Sequence, residues 1–262
     1  MRSKSTFLTR YWRRAEKFAR KPTRGFEILR VKRYILVLSH MRSYSSLLCH
    51  ILNSNPEVAG YVEMHIAYSG RRDLWRLKWN VFLGTDADVG GRYVLDKILH
   101  NGSEVNPVLL RRDDVFVIFS LREPRRTIQS TVAMARSLDP HDWKADPEKV
   151  TQAYVRRVKQ LRRLAYQELR HATFIDAQRL IDDSPRVLGE LTTFLSLKEP
   201  LSEEYQTSKL TGVRVFGDPG KYIKAGNIVR NREDYSEIEL SDDVLEPAFE
   251  AYAAASEALK TL

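Results

Sequence analysis

Two stretches of this 262-residue chain place permanent positive charge beside small hydroxyls at the start of a helix pattern. The first is SHMRSYSSLL (39–48), which follows the apolar run YILVL and leads into a second apolar stretch. The second is VFVIFSLREPRRTIQS (115–130), in which Arg122 closes an apolar run and Ser130 stands about two helical turns further on. Arginine offers a planar fork of donors that stays charged. Serine hydroxyls and the unpaired N–H groups of a helix N-terminus add donors, and the helix dipole adds partial positive charge. Strand, short polar loop with a cation, then helix is an arrangement for holding a phosphate or sulfate. Taken alone, each stretch reads as well as a capped surface helix. Arg122 and Ser130 can face one groove, whereas Arg125 and Arg126 read as solvated.

Hydrophobic periodicity gives the elements that must position these residues. YILVLS (34–39) and DDVFVIFSL (113–121) are continuous apolar runs, which predicts strands covered on both faces. Leu47, Leu48, Ile51 and Leu52 recur at helical spacing until Asn-Ser-Asn-Pro ends the pattern. VAGYV (58–62), GRYVLDKIL (91–99) and TFIDA (173–177) read as further strands, and 71–80, 124–138, 147–170, 178–196 and 243–260 as helices. Trp75 and Trp79 read as a core stripe, and the basic 147–170 helix as one with a solvated face. Strands alternating with helices predict an α/β fold, a parallel sheet with helices on both faces. In such sheets ligands collect where strands end and helices begin. No repeat or long linker divides the chain, so residues 30–262 are expected to form one domain behind a basic, helix-compatible extension, residues 1–29.

Apolar residues make up 43% and aromatics 10%, enough for a sizeable core and too much for a disordered chain. A net charge of +9 favours anionic partners: nucleic acid, an acidic membrane surface or a phosphorylated small molecule. The single cysteine, Cys49, excludes an intramolecular disulfide, suits a reducing compartment and reads as core. One cysteine and six scattered histidines offer no zinc spacing, so no metal is expected. No apolar run reaches the roughly 18–20 residues of a membrane-spanning helix. The N-terminus lacks the uncharged core of a secretory signal, so the expected location is cytoplasmic. Phe7, Tyr11, Trp12 and Phe18 fall on one side of that N-terminal segment, which reads either as a docking helix or as a peripheral attachment to anionic lipid.

Together the two loops resemble the superfamily of sulfotransferases that use 3′-phosphoadenosine 5′-phosphosulfate. In that family the pattern Arg/Lys-Ser-Gly-Ser/Thr-Ser/Thr binds the 5′-phosphosulfate, and it stands here as Arg42-Ser43-Tyr44-Ser45-Ser46. The family's Arg-x7-Ser pattern binds the 3′-phosphate, and it stands here as Arg122 through Ser130. NPEVAGYVE (55–63) resembles the His-Pro…Gly-Glu continuation of the bacterial carbohydrate branch. The resemblance covers roughly residues 34–130 and implies a three-layer, P-loop NTPase-like sheet, this nucleotide as donor, and no metal. Tyr44 departs from it, since the family has a glycine there that tolerates positive φ. A tyrosine is expected to find another conformation or to turn its ring outward. A basic, glycine-containing loop near the family's C-terminus covers the 3′-phosphate and adenine. FGDPGKYIKAGNIVRNRED (216–234) resembles it, which makes Lys221, Lys224, Gly226 and Arg230 candidates.

The implied reaction moves a sulfuryl group onto a hydroxyl of a carbohydrate or glycolipid acceptor. It needs fixed donors for the charge building on the departing phosphate, a role for Arg42 and the loop amides. It also needs a base within reach of the acceptor. Glu63 is the first candidate, because related carbohydrate sulfotransferases place a glutamate there. His65 is the second; it shares a side with Glu63 if the chain is extended, and its pKa suits proton transfer at neutral pH. Lys97 in VLDKIL either serves the leaving group or acceptor, or lies on the solvent face of an edge strand, paired with Asp96 or Asp113. A P-loop phosphotransferase would need G-x-x-x-x-G-K-[ST], which the chain lacks. A nucleic-acid binder would interleave aromatics with basic residues, whereas the aromatics here sit in apolar runs, so no nucleic-acid partner is expected. Tyr44 leaves open a non-catalytic, nucleotide-binding relative.

Overall fold

A computed structural model describes residues 33–84, 91–102, 105–213, 220, 222–230 and 234–262. The expected extension, residues 1–29, lies outside them, as does Lys221. The first apolar run forms β1 (Arg33–Leu38), from which the loop leads into α1 (Ser45–Ser54). Then follow β2 (Val58–Ala59), α2 (Arg71–Gly84), β3 (Tyr93–Ile98), the short α3 (Pro107–Leu110) and β4 (Val115–Leu121). The second half comprises α4 (Pro124–Leu138), α5 (Pro147–Ala165), β5 (Ala172–Asp176), α6 (Arg179–Asp182), α7 (Ser184–Phe194) and α8 (Asp242–Leu259). None of these helices is long and apolar enough to cross a membrane.

The described strands form one sheet in the order β2-β3-β1-β4-β5, every pair parallel. Alternation along β1 sends Leu36 and Leu38 into the core shared with α2, α4, α5 and α8, and Ile35 and Val37 into the core shared with α1 and α7. This two-sided burial is why β1 and β4 read as unbroken apolar runs. The chain leaves β1 for the β2 edge, returns through β3 and crosses to β4, so the order reverses beside β1. Ligands bind in a crevice at such a point, and the loops after β1, β3 and β4 meet there.

Several sequence expectations change. The strand expected over 58–62 stops at Ala59, because Gly60 turns at φ 115° and passes so close to β3 that a Cβ would lie 2.4 Å from the Leu95 carbonyl oxygen. Trp75 and Trp79 are not core: they are 47% and 41% exposed, since α2 buries Leu74, Leu77, Lys78 and Val81 and both indoles fall on its outer flank. The helix expected over 178–196 divides at Asp183, and Pro185 lies in the first turn of α7. Cys49 is core, and burial pushes its thiol up to about 12.

Candidate active site

The loop after β1 is held by its own polar groups. Ser39 Oγ donates to the Ser120 carbonyl (2.6 Å), and Ser43 Oγ to that of His40 (2.7 Å), so Ser43 is spent on shaping the loop. His40 Nδ1 lies 2.8 Å from the Met41 carbonyl, and His40 Nε2 accepts the Arg122 amide at 3.0 Å. A carbonyl only accepts and an amide only donates, so the ring is neutral with its proton on Nδ1. Burial pulls its pKa down to about 4. Arg42 and Tyr44 both take left-handed backbone, at φ 59° and 58°. Tyr44 thus keeps the conformation that glycine would have taken, at a cost of about 1–2 kcal/mol. The amides of Ser43, Tyr44 and Ser45 find no acceptor among the described residues. The N-terminus of α1 is open to an anion.

The start of α4 is the opposite case. Glu123 accepts the amides of Arg125 (2.9 Å) and Arg126 (3.0 Å), so that helix caps itself. An anion at the second motif would therefore have to be held by side chains. Arg122 is 5% exposed, and burial lowers its pKa. One terminal guanidinium nitrogen donates to the Arg42 carbonyl at 2.9 Å, and the guanidinium carbon lies 4.3 Å from the centroid of the Tyr44 ring. The Arg122 Nε is buried without an acceptor, and the second terminal nitrogen makes no hydrogen bond among the described residues. Arg42 reaches across to Ser130, its Nε donating to Ser130 Oγ at 2.9 Å. Arg125 and Arg126 line the same cavity rather than pointing away from it.

The third wall comes from β3 and the turn after β2. Lys97 is 1% exposed and lies inside the sheet, not on an edge. Its Nζ donates to Ser46 Oγ at 2.7 Å, leaving two of its three donors without a described acceptor. Asp96, one residue earlier, faces the other side, where it accepts the Tyr68 hydroxyl (2.6 Å) and the amides of Met64 (3.0 Å) and Lys97 (2.8 Å). Burial pushes Asp96 up to about 7. By holding Met64, Asp96 fixes its neighbour Glu63, which is 7% exposed and whose Oε1 is buried with no hydrogen-bond donor. His65 Nδ1 lies 3.6 Å from that oxygen and His100 Nε2 3.8 Å. His65 turns at φ 52°, so the chain is not extended there, yet the ring still flanks Glu63. Burial holds His100 below the usual imidazole value.

Asp96, His40, His100 and Arg157 are members of this assembly that motif reasoning did not find. Arg157 sits in the basic α5 stretch that read as a solvated face, but it is 4% exposed. Its Nε donates to the Ser39 carbonyl (2.8 Å) and a terminal nitrogen to that of Ile98, so it ties together the ends of β1 and β3. Burial lowers its pKa to about 10. Only its place in a basic run marked it in the sequence.

Arg42, Ser43, Tyr44, Ser45, Ser46, Glu63, His65, Lys97, Arg122 and Ser130 line one cavity of about 1190 Å³. Lys224 and Gly226 are not on its wall; Tyr222, Ile223, Asn227 and Val229 of the same segment are. Lys224 lies against Gly212, Gly226 accepts the Tyr205 amide (2.8 Å), and Arg230 is engaged with Glu203 (2.6 Å) and Ser184 (2.8 Å).

No protein-family model and no curated protein sequence matches the chain. Solved structures do. A sulfotransferase domain from the curacin biosynthetic pathway superposes at a TM-score of 0.59, over 85% of this chain and 98% of that one, at 18% identity. A sulfotransferase from Alicyclobacillus acidocaldarius superposes at 0.50, over 88% of this chain and 95% of that one, at 14% identity. The likeness is one of fold: the chain has the α/β architecture of sulfotransferases across most of its length.

Proposed function

We propose that the chain transfers a sulfuryl group from 3′-phosphoadenosine 5′-phosphosulfate to a hydroxyl of a carbohydrate or glycolipid. The observation that carries this reading is three under-satisfied buried charges lining one cavity. Arg122 has two nitrogens without acceptors, Lys97 has one acceptor for three donors, and Glu63 Oε1 has no donor. Buried charges without partners are costly and mark places where a ligand completes the set. Two cations and an open helix N-terminus fit a ligand with two anionic ends, and the lone carboxylate fits an acceptor O–H.

When bound, the donor supplies the sulfuryl group and takes the electrons of the broken S–O bond onto its 5′-phosphate. The amides of Ser43, Tyr44 and Ser45 hold that end, with Lys97 and Ser46 beside it to meet the growing charge. Arg122 and Ser130 hold the 3′-phosphate, and Arg42 bridges the two ends through Ser130. Glu63 takes the acceptor proton on Oε1 and orients the hydroxyl. His65 and His100 flank it and pass that proton outward. The carbohydrate or glycolipid reading is supported by the NPEVAGYVE stretch that ends in Glu63, and by the basic wall with apolar neighbours such as Leu138, Ile238 and Leu240.

Thermal unfolding with 3′,5′-adenosine diphosphate, 5′-AMP and ATP plus magnesium tests the donor. A ligand at 100 times its dissociation constant adds about 2.7 kcal/mol to the folded state. Selective stabilisation by the 3′-phosphorylated nucleotide is expected, and stabilisation by ATP alone would turn the reading toward phosphoryl transfer. Sulfate transfer from labelled donor to saccharide and glycolipid panels then tests the acceptor.

A further inference from the structure

The family pattern has no use for a side chain at position 44, yet this chain puts a tyrosine there and keeps it in left-handed backbone at φ 58°. The ring is not turned outward. It lies beneath Arg122, whose guanidinium carbon is 4.3 Å from its centroid, within the roughly 6 Å range of cation–π attraction. The contact is desolvated, because Arg122 is buried. Two other attachments fix the same residue: a terminal nitrogen donates to the Arg42 carbonyl, and the Arg122 amide donates to His40. What stays uncommitted is the rest of the fork, the Nε and the second terminal nitrogen. With glycine at 44, one face of this fork would be open and its torsions freer.

We propose that Tyr44 is a positioning residue: its ring holds the Arg122 guanidinium in the orientation that meets a 3′-phosphate. It thereby sets how sharply the chain distinguishes 3′-phosphorylated from plain adenine nucleotides. The inference rests on the nucleotide reading above. Three physical effects act together. The ring restricts Arg122 before the ligand arrives, so less freedom is lost on binding. It excludes water from one face of the cation, which strengthens the pull on an incoming anion. Being uncharged, it does this without competing for the phosphate, as a carboxylate partner would.

The test is calorimetric titration of 3′,5′-adenosine diphosphate and of 5′-AMP into wild type, Tyr44→Phe, Tyr44→Leu, Tyr44→Gly, Arg122→Ala and the double variant Tyr44→Leu/Arg122→Ala. Tyr44→Phe keeps the ring and is expected to keep the wild-type preference. Tyr44→Leu and Tyr44→Gly are expected to bind the bisphosphate about 5- to 10-fold more weakly, and 5′-AMP within about twofold of wild type. In the Arg122→Ala background, Tyr44→Leu should cost nothing more. Glycine takes this φ without strain, so Tyr44→Gly gives a folded variant even if Tyr44→Leu does not. Equal weakening of both nucleotides, or an additive loss in the Arg122→Ala background, would overturn the role. A wild-type preference for the 3′-phosphate that Tyr44→Gly and Tyr44→Leu both retain overturns Tyr44 alone. A wild type with no such preference overturns the donor reading, and this inference with it.

Discussion

Arg42 Nε donates to Ser130 Oγ over 2.9 Å, joining two motifs that stand 88 residues apart in the chain. The loop after β1 and the second turn of α4 therefore form one continuous stretch of the cavity lining. Removing either partner should weaken 3′,5′-adenosine diphosphate binding about 10- to 100-fold, the worth of a hydrogen bond to a charged group. Arg42→Ala/Ser130→Ala should lose less than the product of the two single losses, because the groups act as a pair. Titration of the four proteins checks this. Strict additivity would mean that the two residues serve the ligand independently.

Glu63→Gln keeps the shape of the side chain and removes the proposed base. Turnover should fall by about 10²–10⁴, while nucleotide affinity stays within about twofold, since the proposed role of Glu63 is toward the acceptor. His65→Ala and His100→Ala should cost less, as each ring stands 3.6 Å or more from Oε1 and acts through it. Near-normal turnover in Glu63→Gln would pass the role of base to His65.

Lys97 is buried with one hydrogen-bond acceptor, an expensive state to maintain. Lys97→Met retains the apolar stem and removes the charge. Urea denaturation should show stability unchanged or raised, while turnover drops about 10²–10³. A fall in stability to match the fall in turnover would make Lys97 a structural residue.

Asp96 and His40 give opposite pH dependences. Burial pushes the Asp96 carboxyl up from 3.8 to about 7, so the folded protein holds a proton that the unfolded chain has released. Its contribution to stability is full below pH 3.8 and is lost as pH rises through about 7. Burial pulls His40 from 6.5 down to about 4, so its contribution is full above pH 6.5 and is lost as pH falls through about 4. Between about pH 4 and pH 6.5 the two oppose each other. Asp96→Asn removes one arm, and its stability should fall on acidification across this window more steeply than that of wild type. Denaturation of both proteins at about pH 4.5 and 6.5 checks the difference. Parallel curves would mean that Asp96 is ionised in the folded state.

The sequence by itself determined the elements and the two motifs. β1 and β4 are legible because both of their faces are covered, which removes polar residues and leaves an unbroken apolar run. Arg42 through Ser46 and Arg122 through Ser130 are legible because each group lies at one strand–helix junction, where local spacing fixes relative position. β2 is shorter than its apolar stretch suggests, since the close approach of Gly60 to Leu95 is a contact between elements.

Only the tertiary structure decided how these pieces meet. Which side of the sheet Lys97 faces depends on the parity of β3, and its value to the site depends on α1 covering that side to present Ser46. Glu63, His65 and His100 converge because Asp96 pins Met64 from the next strand. Arg157 looks like any surface arginine of a basic helix until α5 packs it against the ends of β1 and β3. Tyr44 was expected to leave the glycine conformation or turn outward. It did neither, because a partner 4.3 Å away offsets the backbone strain, and that partner is supplied by another strand end. Local sequence encodes periodicity and junctions, whereas contacts between elements follow from strand order and packing, which no short window contains.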